Sequence, residues 1–257
     1  MKILILNPNM SGQMTELMMT TVGETIPPDV QLVAMTALRG VPYISSRSEA
    51  LIAGNLVLEM IAERQDEVDG VVISAFGDPG LLAARELFDL PVIGMAEASM
   101  LTACMLGKTF ALVTFSKNLS AWYEEVVAQT HLQERCVGIC VPDAPFLSVA
   151  NVQNELENEI VDTAERAVGE KGADVIILAG APLTGLANRI ADRVPVPVVD
   201  PAIAAVCQAQ SLIRLNVRPP VAGRFARPVG KPVVGLPPTL AERIEGRADG
   251  SARRVFR

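Results

Sequence analysis

The apolar residues of this chain fall into two kinds of pattern. Some stand consecutively in short runs, as in Ile3-Leu4-Ile5-Leu6, Val71-Val72-Ile73, Phe110-Ala111-Leu112-Val113 and Val175-Ile176-Ile177-Leu178. Short runs of this kind, closed by turn residues, suit strands buried on both faces of a sheet. Others recur every three or four positions, as in Leu81, Leu82, Ala84, Leu87 and Phe88, which is the spacing of one helix face. The pattern predicts strands over 2–7, 30–35, 71–73, 91–94, 109–114, 137–141, 175–178 and 195–200. It predicts helices over 12–23, 49–64, 81–88, 97–106, 118–129, 152–169 and 201–215. Strands alternating with helices indicate parallel sheets, which bind ligands beyond the carboxyl ends of their strands.

The stretch Val71 to Ser99 holds one complete strand–loop–helix–strand unit around Gly77-Asp78-Pro79-Gly80, a turn enforced by two glycines and a proline. The same phrase returns about 105 residues later. Val175-Ile176-Ile177-Leu178 leads into Ala179-Gly180-Ala181-Pro182-Leu183-Thr184-Gly185, and Pro197-Val198-Val199-Asp200 echoes Pro91-Val92-Ile93-Gly94. The chain start repeats as well: the first strand leads to Ser11 and the strand at 110 leads to Ser116, each read as a helix cap. Two matching halves predict an α/β protein of two pseudo-symmetric flavodoxin-like lobes, each with a four-stranded parallel sheet, and a cleft between their strand ends. Lobe 1 is expected over 1–98 plus about 201–216, and lobe 2 over 99–200.

Half of the 257 residues are hydrophobic, yet no run reaches the length of a membrane helix, and no secretory leader is read at the N-terminus. The net charge of −7 argues against nucleic acid as a partner. The residues from Val217 onward hold nine Arg and Lys against three acids, and six of the 18 prolines. They are expected to form a basic tail, partly disordered or lying on the acidic body. Four cysteines (Cys104, Cys136, Cys140, Cys207) make no disulfide framework and are read as small buried hydrophobes in a cytoplasmic protein. The single histidine, His131, sits in a polar stretch away from any strand end, which leaves no metal site to expect.

What remains is a set of small polar residues and backbone amides at four strand ends: Asn9 and Ser11, Thr114 and Ser116, Ser74-Ala75-Phe76-Gly77, and Ala179-Gly180-Ala181. Amides at helix starts bind carboxylates and stabilise enolate-like charge. Asp78 is read as a turn former, Glu97 as a residue that orients the cleft, and Tyr43 as able to reach it.

The motifs LNPNMS, FGDPGL, AAREL and PVIGMAEAS together resemble the aspartate/glutamate/hydantoin racemase superfamily, its hydantoin racemase branch above all, over roughly residues 1–215. The resemblance implies an isomerase acting on a carbon beside a carbonyl, in an amino acid, small carboxylate or cyclic amide. It implies no metal or organic cofactor, and a homo-oligomer is expected. In that family two cysteines face each other across the cleft and exchange the α-proton. The matching positions here are Ala75 and Gly180, so the two-thiol mechanism is in doubt and the catalytic residues are open. Two other readings stay open beside the racemase: a cofactor-free decarboxylase on the same fold, similar to arylmalonate decarboxylase, and a ligand-binding homologue without turnover.

Overall fold

The computed structural model describes residues 1–217 and 219–246. Two four-stranded parallel sheets form. The first contains β1 (Lys2–Asn7), β2 (Gln31–Thr36), β3 (Gly70–Ile73) and β4 (Val92–Gly94), in the order β2-β1-β3-β4. The second repeats that order with β5 (Phe110–Val113), β6 (Cys136–Cys140), β7 (Val175–Leu178) and β8 (Val198–Val199), as β6-β5-β7-β8. The central strands β1, β3, β5 and β7 contain almost only apolar residues, because helices cover both faces of each sheet. The repeat seen in the sequence is therefore a repeat of topology.

The helices are α1 (Gly12–Gly23), α2 (Arg47–Arg64), α3 (Leu81–Leu87), α4 (Met95–Leu106), α5 (Ser120–Gln129), α6 (Val152–Lys171), α7 (Leu186–Ile190), α8 (Pro201–Leu215) and α9 (Pro238–Glu245). Helix α8 carries the chain back to the first lobe. Its Ala202, Ala205, Val206 and Ala209 pack with Ile3, Ile5, Met18, Val72 and Ile93, and it lies along α4.

Several boundaries differ from expectation for identifiable reasons. The strand read over 195–200 shrinks to Val198–Val199, since Pro195 and Pro197 lack the N–H that a ladder needs. Helix α2 starts at Arg47 because the Ser46 hydroxyl accepts from Glu49 N. Ser11 caps α1 by accepting from Met14 N, but Ser116 makes no such cap and leads instead into a 3₁₀ turn at Lys117–Leu119. Only Cys140 among the cysteines is buried; Cys104 and Cys136 are half-buried and Cys207 is exposed.

As far as Gly246 the tail lies on the body, and its helix packs into lobe 1. Helix α9 docks on α2, with Leu240 only 1% exposed in the core of lobe 1. Arg243 is buried beside it. Its guanidinium donates to Leu87 O (2.8 Å) and to Asp89 (2.7 Å), and stacks over the Phe88 ring. Part of the basic excess is thus spent on an acid of the body. The basic residues from Arg247 on lie outside the described residues.

Removing a fully buried leucine costs about 2–5 kcal/mol. Leu240→Ala is accordingly expected to lower the Tm by roughly 5–10 °C, at a few degrees per kcal/mol for a chain of this size. An unchanged Tm in a thermal melt would show that α9 does not dock on lobe 1 in solution.

Candidate functional site

The carboxyl ends of β1, β3 and β7 converge on a single cavity between the lobes, lined by Asn9, Tyr43, Ile44, Ala75, Phe76, Tyr123, Gly180 and Ala181. Five of these, Asn9, Ala75, Phe76, Gly180 and Ala181, were candidates from sequence. Tyr43, read from the sequence as able to reach the cleft, does line it. Ile44 and Tyr123 were not singled out. Tyr123 sits on α5, and nothing in its local pattern separates a cleft-facing aromatic residue from a core one.

The other candidates hold the loops in place. Ser11 caps α1, and the Ser74 hydroxyl turns toward Val72 O at 3.5 Å. Ala179 is fully buried, with its N–H bonded to Val113 O. Gly77 is pressed against Trp122. Its φ of +124° already favours glycine, and an added Cβ would stand 2.3 Å from the indole ring. Thr114 ends β5 with no exposure, and its hydroxyl has no hydrogen-bond partner. Ser116 is half-buried and does not line the cavity.

Two carboxylates, Asp78 half-buried and Asp200 buried, fix the loops. Asp78 accepts from Ala96 N (2.9 Å) and Glu97 N (2.8 Å), pinning the Ala75–Gly80 turn to the start of α4. Burial pushes its carboxyl up to about 7, against the downward pull of these amides and of Arg85. Arg85 in turn pairs with Glu97. In lobe 2, Asp200 caps α8 by accepting from Ala202 N and Ile203 N, and it also accepts from Gly185 N (2.6 Å). Burial raises this carboxyl too, more than its three amide bonds lower it. On the β1 side, Asn7 donates to Asn9 Oδ1, Ser11 O and Thr15 Oγ1. Asn9 Oδ1 also accepts from Ser11 N, and no acceptor for Asn9 Nδ2 is found among the described residues.

The walls are aromatic. Six of the ten aromatic residues gather here, including both tyrosines and the single tryptophan. Tyr43 faces Phe115 at 6.1 Å between ring centroids and Tyr123 faces Phe76 at 4.8 Å, so each lobe supplies one phenol. Burial pushes both phenols above the ordinary tyrosine range; the Glu49 carboxylate raises Tyr43 further, and the proximity of the two phenols opposes ionisation of Tyr123 beside an ionised Tyr43. The neighbouring Thr114 hydroxyl pulls Tyr123 the other way, less than burial raises it. None of the eight lining residues carries a charge at neutral pH.

The loop at 39–46 closes the cavity from lobe 1. Ile44 is buried in the core of lobe 2, Val41 O accepts from Met10 N (2.9 Å), and Arg47 pairs with Glu125 across the cleft. The space left is about 20 Å³, little more than a water needs. A ring of several heavy atoms does not fit without movement, so this loop or the lobes must part to admit a ligand.

With that geometry in view, likeness to known proteins becomes informative. The family model "Asp/Glu/Hydantoin racemase" matches residues 3–209. The chain belongs to the Asp/Glu/hydantoin racemase family. It is 33% identical over 233 residues to the hydantoin racemase of Paenarthrobacter aurescens, covering 90% of this chain and 99% of that one. It is similar in structure to allantoin racemase from Klebsiella pneumoniae, with a TM-score of 0.85 and 34% identity over 91% of this chain and 96% of that one. Arylmalonate decarboxylase, at 19% identity, a TM-score of 0.59 and coverage of 83% and 92%, shares the fold alone.

None of the four cysteines lines the cavity. At Gly180 the backbone itself resists a side chain: φ is +133°, and a Cβ would lie 3.0 Å from the Phe115 ring and 3.7 Å from the Tyr123 oxygen. Gly180→Ala is expected to cost about 1–2 kcal/mol in denaturant unfolding. A cost near zero would mean that the loop relaxes freely.

The phenols give a pH prediction. A phenol raised in the folded state keeps its proton above pH 10 while the unfolded one loses it, so stability falls as pH rises past about 10. Absorbance at 295 nm should show neither tyrosine ionising until the chain unfolds. A reversible step near pH 10 in the folded protein would contradict their burial.

Proposed function

We propose that this protein is a racemase-type isomerase acting on the carbon beside a carbonyl in a hydantoin-like cyclic amide bound between the loops at 74–77 and 179–181. The observation that carries this reading is the agreement of the fold, the strand-end cleft and the full-length likeness to hydantoin and allantoin racemases. Racemisation of such a ring needs removal of one hydrogen, a planar enolate, and return of a proton from the opposite face. The cleft supports the middle stage: it is narrow and lined with hydrogen-bond donors from both lobes, Tyr43 and Tyr123 among them.

In this reading the two protons do not pass through thiols at positions 75 and 180, since Ala75 and Gly180 have none. The fold and donor set call for no metal or organic cofactor. Action in the cytoplasm as a homo-oligomer remains part of the same proposal.

The test is proton exchange. An enantiopure 5-substituted hydantoin and enantiopure allantoin are incubated with the protein in deuterated water and followed by ¹H NMR and polarimetry. The α-proton signal and the optical rotation are expected to fall together, faster than in buffer alone. Saturable binding without exchange would contradict the assignment as an isomerase, and carbon dioxide release from a malonate-type acid would favour the lyase reading instead.

A further inference from the structure

We propose that Tyr43 and Tyr123, aided by Asn9, form an uncharged donor set that holds the delocalised anion of the ligand ring, selecting it over the neutral ring. The inference rests on the reading of the cleft as the substrate site and names what performs charge stabilisation there.

Three observations converge. The chain has two tyrosines, and one reaches the cavity from each lobe. Asn9 is 4% exposed, with its oxygen engaged and its amide nitrogen available. Finally, no cation lines the cavity, so any negative charge that develops there has to be met by dipoles.

Phenols suit that role because burial raises them well above neutral pH, so each presents an O–H there. The same property disqualifies them as bases at neutral pH. They stabilise the enolate and leave the α-proton to another acceptor. An anion placed between them would hold their protons more firmly still, so donor and ligand reinforce each other. A zwitterionic amino acid finds neither a carboxylate for its ammonium group nor a cation for its carboxylate in this lining.

The experiment uses Trp122, the single tryptophan, whose ring lies 5.6 Å from that of Tyr123 and packs on Gly77. Its fluorescence is titrated at pH 7.5 with barbiturate, a planar ring that is anionic at that pH, with unsubstituted hydantoin, which is neutral, and with aspartate. Calorimetry repeats each titration, so that a silent fluorophore does not hide binding. Barbiturate is expected to bind more tightly than hydantoin, and aspartate more weakly than both. Tyr43→Phe and Tyr123→Phe, checked for folding by circular dichroism, are each expected to weaken barbiturate about tenfold or more, the scale of a hydrogen bond to a charged group. Hydantoin should weaken by less than about threefold, since only the charge-assisted part is lost. Equal losses for both rings, or none for barbiturate, would overturn the donor role and leave the site itself standing. Failure of all three ligands to bind the unmodified protein would overturn both the inference and the reading of the cleft on which it rests.

Discussion

The site depends on two carboxylates, withdrawn from water to different degrees, that tie loops to helix starts. Asp78 reaches from the loop after β3 to the first amides of α4, and Asp200 reaches from the turn before α8 to Gly185 in the loop after β7. Helices α4 and α8 pack along each other, so the two loops that face across the cleft are referenced to a single helix pair. Each carboxylate is costly to bury and is retained because it accepts two or three backbone bonds that would otherwise go unmet. The direction of the bond differs between the lobes. In the first the acid sits on the loop, and in the second it sits at the helix cap. The same mechanical link has been reached from opposite ends of a repeated unit.

On that frame the chain places neutral groups where its resemblance to the family leads one to expect thiols. Gly180 adopts a backbone that disfavours side chains, and the Phe115 ring occupies the space a side chain would enter. Phe76, Phe115, Tyr43 and Tyr123 then fill the cleft until about 20 Å³ remains. These features belong together, because removing Cβ at 180 makes room for the ring that narrows the cavity. The result is a narrow pocket whose polar atoms are amides and hydroxyls. Such groups cost little to desolvate when neutral, yet interact strongly with charge once water is excluded.

Much of the fold was legible because parallel strands buried on both faces leave consecutive apolar runs, and because the second lobe repeats the first with a nearly constant offset. The Gly80 and Gly185 turns are one example: both have left-handed backbones opening a short helix, at φ +77° and +87°. What stayed hidden is set by tertiary contacts. Helix α4 begins at Met95, two residues before expectation, since its cap is Asp78 from another loop. Helix α9 has only Leu240 and Ile244 as apolar anchors, too few for a pattern between prolines. The loops at 75–77 and 179–181 were identified by their glycines. Tyr123 was not, since its role depends on how α5 packs against the opposite lobe.

The measurement that bears most directly on this account is a crystal structure with a hydantoin or its planar anionic analogue bound. The account predicts the ring between the Ala75–Gly77 and Ala179–Ala181 loops, with the 39–46 loop displaced from its present contacts and an oxygen of the ring within hydrogen-bond distance of Tyr43 or Tyr123. A ring bound instead at the opposite end of the sheet, in the cavity beside Asp89 and Arg243, with the strand-end cleft still closed, would contradict it.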